Sequence, residues 1–182
     1  CGAPGGKSTH VSSLIGSESL LVSNEVIRQR SAILAENITR WGTSNTLVTR
    51  NDPSAFGHLP GFFDLILVDA PCSGEGMFRD RIAVEEWSAG NTVLCAERQK
   101  RILADVWPAL KPGGILSYST CTFNPAENEE NILWLARQEE AESLSIDLTG
   151  LDGITRISSG GTEGNGFHPG KIKGEGLFIS VL

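Results

Sequence analysis

Short apolar runs alternate with stretches of helical periodicity along this chain, and each run stops at a polar residue. Leu20–Val22 is followed by Asn24-Glu25. Thr46–Val48 gives way to Asn51-Asp52-Pro53. Phe62–Asp69 is the strongest run, and its near-continuous apolar character predicts a strand buried on both faces. Ile115–Ser119 is a fourth strand. Between them, Val26–Trp41 carries apolar residues at helical spacing and stops at Gly42. A second helical pattern runs from Val93 to Leu110 and ends at Pro112-Gly113-Gly114. Asn124-Pro125-Ala126-Glu127 predicts a helix start, with an Asn cap, Pro at the first position and Glu at the third. Leu144–Leu148 and Leu177–Leu182 are expected to be the last two strands, separated by a glycine-rich stretch from Gly150 to Gly176. This alternation defines an α/β fold with a mostly parallel sheet. Ligands of such sheets bind at the carboxyl ends of the strands, where Glu25, Asp52, Asp69 and Cys121 fall.

At 182 residues, 40% hydrophobic and 20% charged, the chain is an ordinary globular domain with no apolar run long enough to span a membrane. A net charge of −7 argues against a whole-surface nucleic-acid binder. Any RNA contact falls to local basic residues, of which Arg79 and Arg81 are better placed than Arg98–Arg101, the solvated face of a helix. The four cysteines, Cys1, Cys72, Cys95 and Cys121, form no C-x-x-C pair, so neither a metal site nor a disulfide framework is expected, and a reducing cytoplasmic location is.

Cys1-Gly2-Ala3-Pro4-Gly5-Gly6-Lys7 opens onto a helix through Val11, Leu14 and Ile15. A glycine-rich turn at a helix N-terminus suits a phosphate or the carboxylate of an amino-acid-like cofactor. Gly6-Lys7-Ser8 also fits the end of a P-loop, with Cys1 where its first Gly belongs and Asp69 as a magnesium ligand, so a nucleotide triphosphatase is the rival. That reading leaves two cysteine-bearing loops without a task. Asp69-Ala70-Pro71-Cys72-Ser73-Gly74 and Ser119-Thr120-Cys121-Thr122 each follow a strand, and parallel strands bring both thiols to one crevice. The helix expected at Asn124 would lower the pKa of the Cys121 thiol. Cys95, in mid-helix beside Leu94, is an inert buried cysteine.

These segments resemble the Nop/Sun family of RNA cytosine-5 methyltransferases, and within it the bacterial small-subunit rRNA enzymes of the RsmF type. The likeness rests on Cys1–Lys7, Asp69–Met77, Ser119–Thr122 with Asn124–Glu129, and Gly174–Phe178, and it spans essentially the whole chain; Gly2 stands where the family more often has Ala. The resemblance implies a Rossmann-like class I methyltransferase fold using S-adenosylmethionine (SAM). In such a fold Cys1, Gly2, Ala3, Pro4, Gly5, Gly6 and Lys7 cradle the methionine part, Glu25 takes the ribose hydroxyls, Asp52 lies near the adenine, and Asp69 lines the site between cofactor and base. Glu25 follows Gly6 by 19 residues, close to the ~20 typical of an acid that binds a ribose diol, although helix or turn capping would equally account for Glu25 and Asp52.

The resemblance further implies that Cys121 attacks carbon 6 of cytosine, that Cys72 helps resolve the adduct, that Asp69 holds the base edge, and that Lys7 positions the base or Asp69. It implies a small-subunit rRNA or ribosomal-subunit partner, and no membrane or metal. Residues 1–182 would be the catalytic domain, with RNA-binding parts and the first central strand outside it. A gap is then expected between the strands ending at Glu25 and Asp69. A non-catalytic RNA-binding or assembly module is the weaker alternative.

Overall fold

The computed structural model describes residues 2–182, so Cys1, assigned above to the cofactor loop, lies outside the described residues. The chain divides into two units, up to Ala55 and from Phe56 to Leu182.

The first unit contains α1 (Gly6–Leu14), β1 (Leu21–Asn24), α2 (Arg28–Trp41) and β2 (Thr46–Thr49). β1 and β2 pair in parallel, Leu21 opposite Thr46 and Asn24 opposite Thr49. The Asn24 side chain joins their ends: its Oδ1 accepts from Thr49 Oγ1 and Asn51 N, and its Nδ2 donates to Asn51 O. Leu34 and Ile38 of α2 bury with Ala3 against Val48 to form a small core. Gly42 ends α2 in the left-handed conformation (φ 86°) that a helix stop of this kind requires.

The second unit contains β3 (Phe63–Asp69), α3 (Arg81–Glu86), α4 (Ala89–Val106), β4 (Leu110–Thr120), α5 (Glu129–Gln138), β5 (Ile154–Ser159), β6 (Thr162–Phe167) and β7 (Leu177–Val181). Its sheet runs β3-β4-β7-β6-β5. β3 and β4 are parallel, and the remaining pairs are antiparallel. The sheet is therefore mixed: parallel where strands carry the candidate site, antiparallel where β5–β7 close it. Leu103 of α4, Ile132 and Leu135 of α5, Leu116 and Tyr118 of β4 and Phe178 of β7 form its core.

Four expectations are corrected. Leu144–Leu148 is not a strand, and the glycine-rich stretch instead holds the β5–β6 hairpin. α5 begins at Glu129 rather than Asn124; Asn124 accepts from Ala126 N, but it caps a turn that leads into the helix. α4 starts four residues before Val93 and yields at Trp107 to a single 3-10 turn. β3 is an edge strand of its sheet, with Leu65 48% and Leu67 41% exposed, so it is not buried on both faces. Among the described residues its only strand partner is β4, and the strands ending beside Glu25 and at Asp69 belong to separate sheets.

Candidate active site

In the second unit the parallel pairing sets Asp69 opposite Ser119 at the carboxyl ends of β3 and β4, and Ser119 Oγ donates to Asp69 Oδ1 (3.1 Å). The chain leaves β3 through Ala70 and Pro71 to Cys72, and leaves β4 directly at Cys121. The two sulfurs lie 3.0 Å apart, both half-buried, and Cys121 N points at Cys72 Sγ (3.3 Å). The Met77 sulfur lies 3.7 Å from Cys121 Sγ. The Cys121 contact and burial together push the Cys72 thiol up, so Cys72 keeps its proton beside its neighbour. The helix-end argument for Cys121 does not hold, because α5 starts at Glu129. A thiol and a thioether adjoin the Cys121 sulfur.

Close backbone packing fixes this geometry. Gly76 N donates to Cys121 O (2.8 Å) and Gly176 N to Gly76 O (2.9 Å). The Glu75 carboxylate accepts from Thr122 Oγ1, Phe123 N and Trp87 Nε1. Glu127, wholly buried, accepts from Ser73 N, Ser73 Oγ and Gln99 Nε2. Glu75 and Glu127 lie inside the segments that carried the resemblance, yet sequence reasoning gave them no role, and Gln99 in mid-α4 gave no signal at all. Cys95 is buried in α4 with its thiol pushed up by burial, as an inert cysteine should be. Lys100 pairs with Glu97 and Arg101 with Asp105 along α4, and Arg81 pairs with Glu85.

In the first unit the glycine loop lies on the end of β1. Gly2 N donates to Asn24 O (2.8 Å), and a Cβ on Gly2 would meet Ser23 Oγ at 2.8 Å and Asn24 O at 2.9 Å. Gly5, left-handed at φ 118°, starts α1 with no side-chain cap, and a Cβ on Gly6 would meet nothing within 4 Å. An uncapped helix start with open space over its first residue fits the carboxylate of an amino-acid-like cofactor. Glu25 is wholly buried beneath the loop: its carboxylate accepts from Ala3 N (3.3 Å) and Ile27 N (3.1 Å) and pairs with Arg30 (3.7 Å). Arg30 also donates to Ala3 O, and Asn37 to Pro4 O. Glu25 thus ties the loop to the start of α2. Asp52 is exposed and caps the turn at Ser54 through its N–H and hydroxyl. Lys7 is exposed on α1.

Among the described residues no cluster of three or more His, Cys, Asp and Glu is placed to hold a metal, and no helix is long and apolar enough to cross a membrane.

An α/β fold with a glycine loop at one strand end and, in the second unit, paired thiols at two others defines an α/β domain with a ligand-binding type of loop and a candidate cysteine centre. The family description "16S rRNA methyltransferase RsmB/F" matches residues 1–182, and the chain belongs to that family. It is 39% identical over 188 residues to "Ribosomal RNA small subunit methyltransferase F" of Pectobacterium atrosepticum and 45% identical over 185 residues to the protein of that name from Salmonella heidelberg. Each match covers 99% of this chain and 38% of the relative, so the chain spans well under half of the curated proteins it matches. Among solved structures, NSun6 from Pyrococcus horikoshii with SFG superposes with a TM-score of 0.79 at 30% identity, over 98% of this chain and 45% of that one. A methyltransferase homologue from the same organism gives 0.79 at 29% identity, over 98% and 58%. The family's description favours a methyltransferase over the triphosphatase.

Proposed function

We propose that residues 1–182 are the catalytic domain of a SAM-dependent methyltransferase that modifies carbon 5 of cytosine in small-subunit rRNA, in the cytoplasm. The observation that carries this reading is the pair of sulfurs 3.0 Å apart at the ends of parallel β3 and β4, beside Asp69. SAM, when bound, supplies an electrophilic methyl group. Gly2–Lys7 would hold its methionine end at the start of α1, and Cys1, which precedes them in sequence, is assigned to the same task. Glu25 anchors that loop and has acceptor capacity left for a ribose hydroxyl, since a carboxylate offers about four lone-pair sites. Asp52 serves the adenine side.

Carbon 5 of cytosine is a weak nucleophile. The Cys121 sulfur adds to carbon 6, and the electron pair displaced onto the ring makes carbon 5 enamine-like and able to attack a methyl group. Asp69 hydrogen-bonds the base edge and stabilises the proton at ring nitrogen 3, and Lys7 orients the base or Asp69. After transfer, solvent water takes the proton from carbon 5, its electron pair re-forms the 5,6 double bond, and the Cys121 sulfur departs as thiolate, restoring the ring. Cys72 assists this step from its position against the Cys121 sulfur. The base reaches these groups only out of its stack.

The test is the full-length protein with SAM and unmethylated small ribosomal subunits, with nucleoside mass spectrometry as the readout. 5-Methylcytosine in the small-subunit rRNA is expected. Magnesium-dependent ATP binding without SAM binding would overturn the reading.

A further inference from the structure

The peptide segments on either side of the two cysteines are held by two adjacent residues. Gln99 Nε2 donates to Pro71 O (2.9 Å), and the Glu127 carboxylate accepts from Ser73 N (2.9 Å), Ser73 Oγ (2.5 Å) and the same Gln99 Nε2 (2.9 Å). The residues before and after Cys72 are therefore both tied to one buried Glu127–Gln99 unit. Asn128 does the same for Cys121: its Oδ1 accepts from Thr120 Oγ1 (2.6 Å), and its Nδ2 donates to Thr122 O (2.9 Å). Glu127 and Asn128 are wholly or almost wholly buried. They are in turn fixed from below, since Tyr118 donates its hydroxyl proton to Glu127 O (2.6 Å) and Asn131 Nδ2 donates to Gln99 Oε1 (2.8 Å). A direct Ser73 Oγ to Thr122 Oγ1 contact (3.0 Å) closes the frame between the two loops.

A buried carboxylate with no cationic partner among the described residues is costly unless its hydrogen bonds are complete, which makes such a frame stiff. We propose that Glu127 and Asn128 are positioning residues that set the separation of the Cys72 and Cys121 sulfurs, Glu127 by gripping the loop around Cys72 and Asn128 the loop around Cys121. The inference deepens the proposed chemistry and rests on it for its purpose: resolving the adduct needs both sulfurs at one carbon–sulfur bond. The frame keeps them there without touching substrate.

The experiment uses the full-length protein and phenylarsine oxide, which bridges two adjacent thiols with loss of water, its adduct mapped by mass spectrometry to the peptides carrying Cys72 and Cys121. The native protein is expected to bridge this pair. Glu127→Ala should slow bridging about tenfold or more, the effect of losing a charge-assisted hydrogen bond. Glu127→Gln should stay close to the native rate, because its carbonyl can accept from Ser73 N and Gln99 while its amide donates to Ser73 Oγ. If Glu127→Ala fails to fold, Thr120→Val, which keeps shape and removes the hydroxyl that donates to Asn128 Oδ1 and accepts from Thr122 N, decides in its place and should slow bridging severalfold. In methyl transfer the slowed variants should lose kcat, by up to ~100-fold for a displacement near 1 Å, with the KM for SAM unchanged. Folded Glu127→Ala and Thr120→Val variants that bridge at the native rate would overturn the frame. Native protein that bridges as expected but places no methyl group on cytosine would overturn the proposed reaction and leave the frame standing.

Discussion

Gly76 is tightly enclosed by backbone at the two-thiol site, and Gly76→Ala should disable it without touching a reacting group. A Cβ there would lie 2.6 Å from Gly176 Cα, 2.8 Å from Cys121 O and 2.9 Å from Gly176 C. All three are backbone atoms, so no flexible side chain can yield. Gly76 has no positive φ, and alanine is barred by space alone. Restoring an ordinary carbon–carbon contact of ~3.5–4.0 Å requires the two loops to part by about 1 Å. That separation strains the Gly76 N to Cys121 O and Gly176 N to Gly76 O bonds. Overpacking and the weakened bonds together should cost about 2–4 kcal/mol of stability. A shift of ~1 Å at Cys121 should lower methyl transfer by roughly 100-fold. The assay is methyl incorporation from labelled SAM into small subunits by the full-length protein, alongside denaturant unfolding and calorimetric SAM binding. SAM affinity should hold, because Gly2–Gly6 and Glu25 belong to the other unit. Native turnover and native stability in Gly76→Ala would refute the argument.

Glu25→Ala removes the acceptor of Ala3 N and Ile27 N and should weaken SAM binding by about 1.5–3 kcal/mol in calorimetry of the full-length protein, with the fold retained; unchanged affinity would take Glu25 out of the cofactor site. The raised Cys72 pKa carries a pH signature. A thiol whose folded pKa lies above its unfolded value, ~8.5, contributes stability that is fully present below that value and is lost as pH rises above it. Unfolding free energy should therefore decline above about pH 8.5, and decline less steeply in Cys72→Ser; identical slopes would contradict the assignment.

The parallel strands and α2 were legible because short apolar runs, Gly42 and the polar stops at Glu25, Asp52 and Asp69 encode them locally. The β5–β6 hairpin was not, because β6 carries glycines at two of its buried positions, Gly164 and Gly166. A Cβ on Gly164 would meet the Phe178 ring at 2.4 Å, and one on Gly166 would meet His168 Nε2 at 2.8 Å. Side chains from elsewhere fill that space, so no apolar alternation marks the strands. The Asn124 signal named a real turn, but Glu127 and Asn128 are drawn to the cysteine loops, which delays α5 to Glu129. Cys72 and Cys121 could be picked out by their places after strands. Their neighbours in the frame could not, since Gln99 reaches Glu127 across 28 residues of sequence and only the fold brings them together.

The order in which the two thiols act is the centre of the proposed chemistry, and one gel tests it. Full-length protein carrying Cys72→Ala or Cys121→Ala is incubated with SAM and unmethylated small subunits, then run under denaturing conditions. With Cys121 as the attacking sulfur and Cys72 needed only afterwards, Cys72→Ala should accumulate a denaturation-resistant protein–RNA band. Cys121→Ala should give none, and no methylation. A band from Cys121→Ala with none from Cys72→Ala would reverse the roles, and normal methylation by both with no band would remove the thiols from the chemistry.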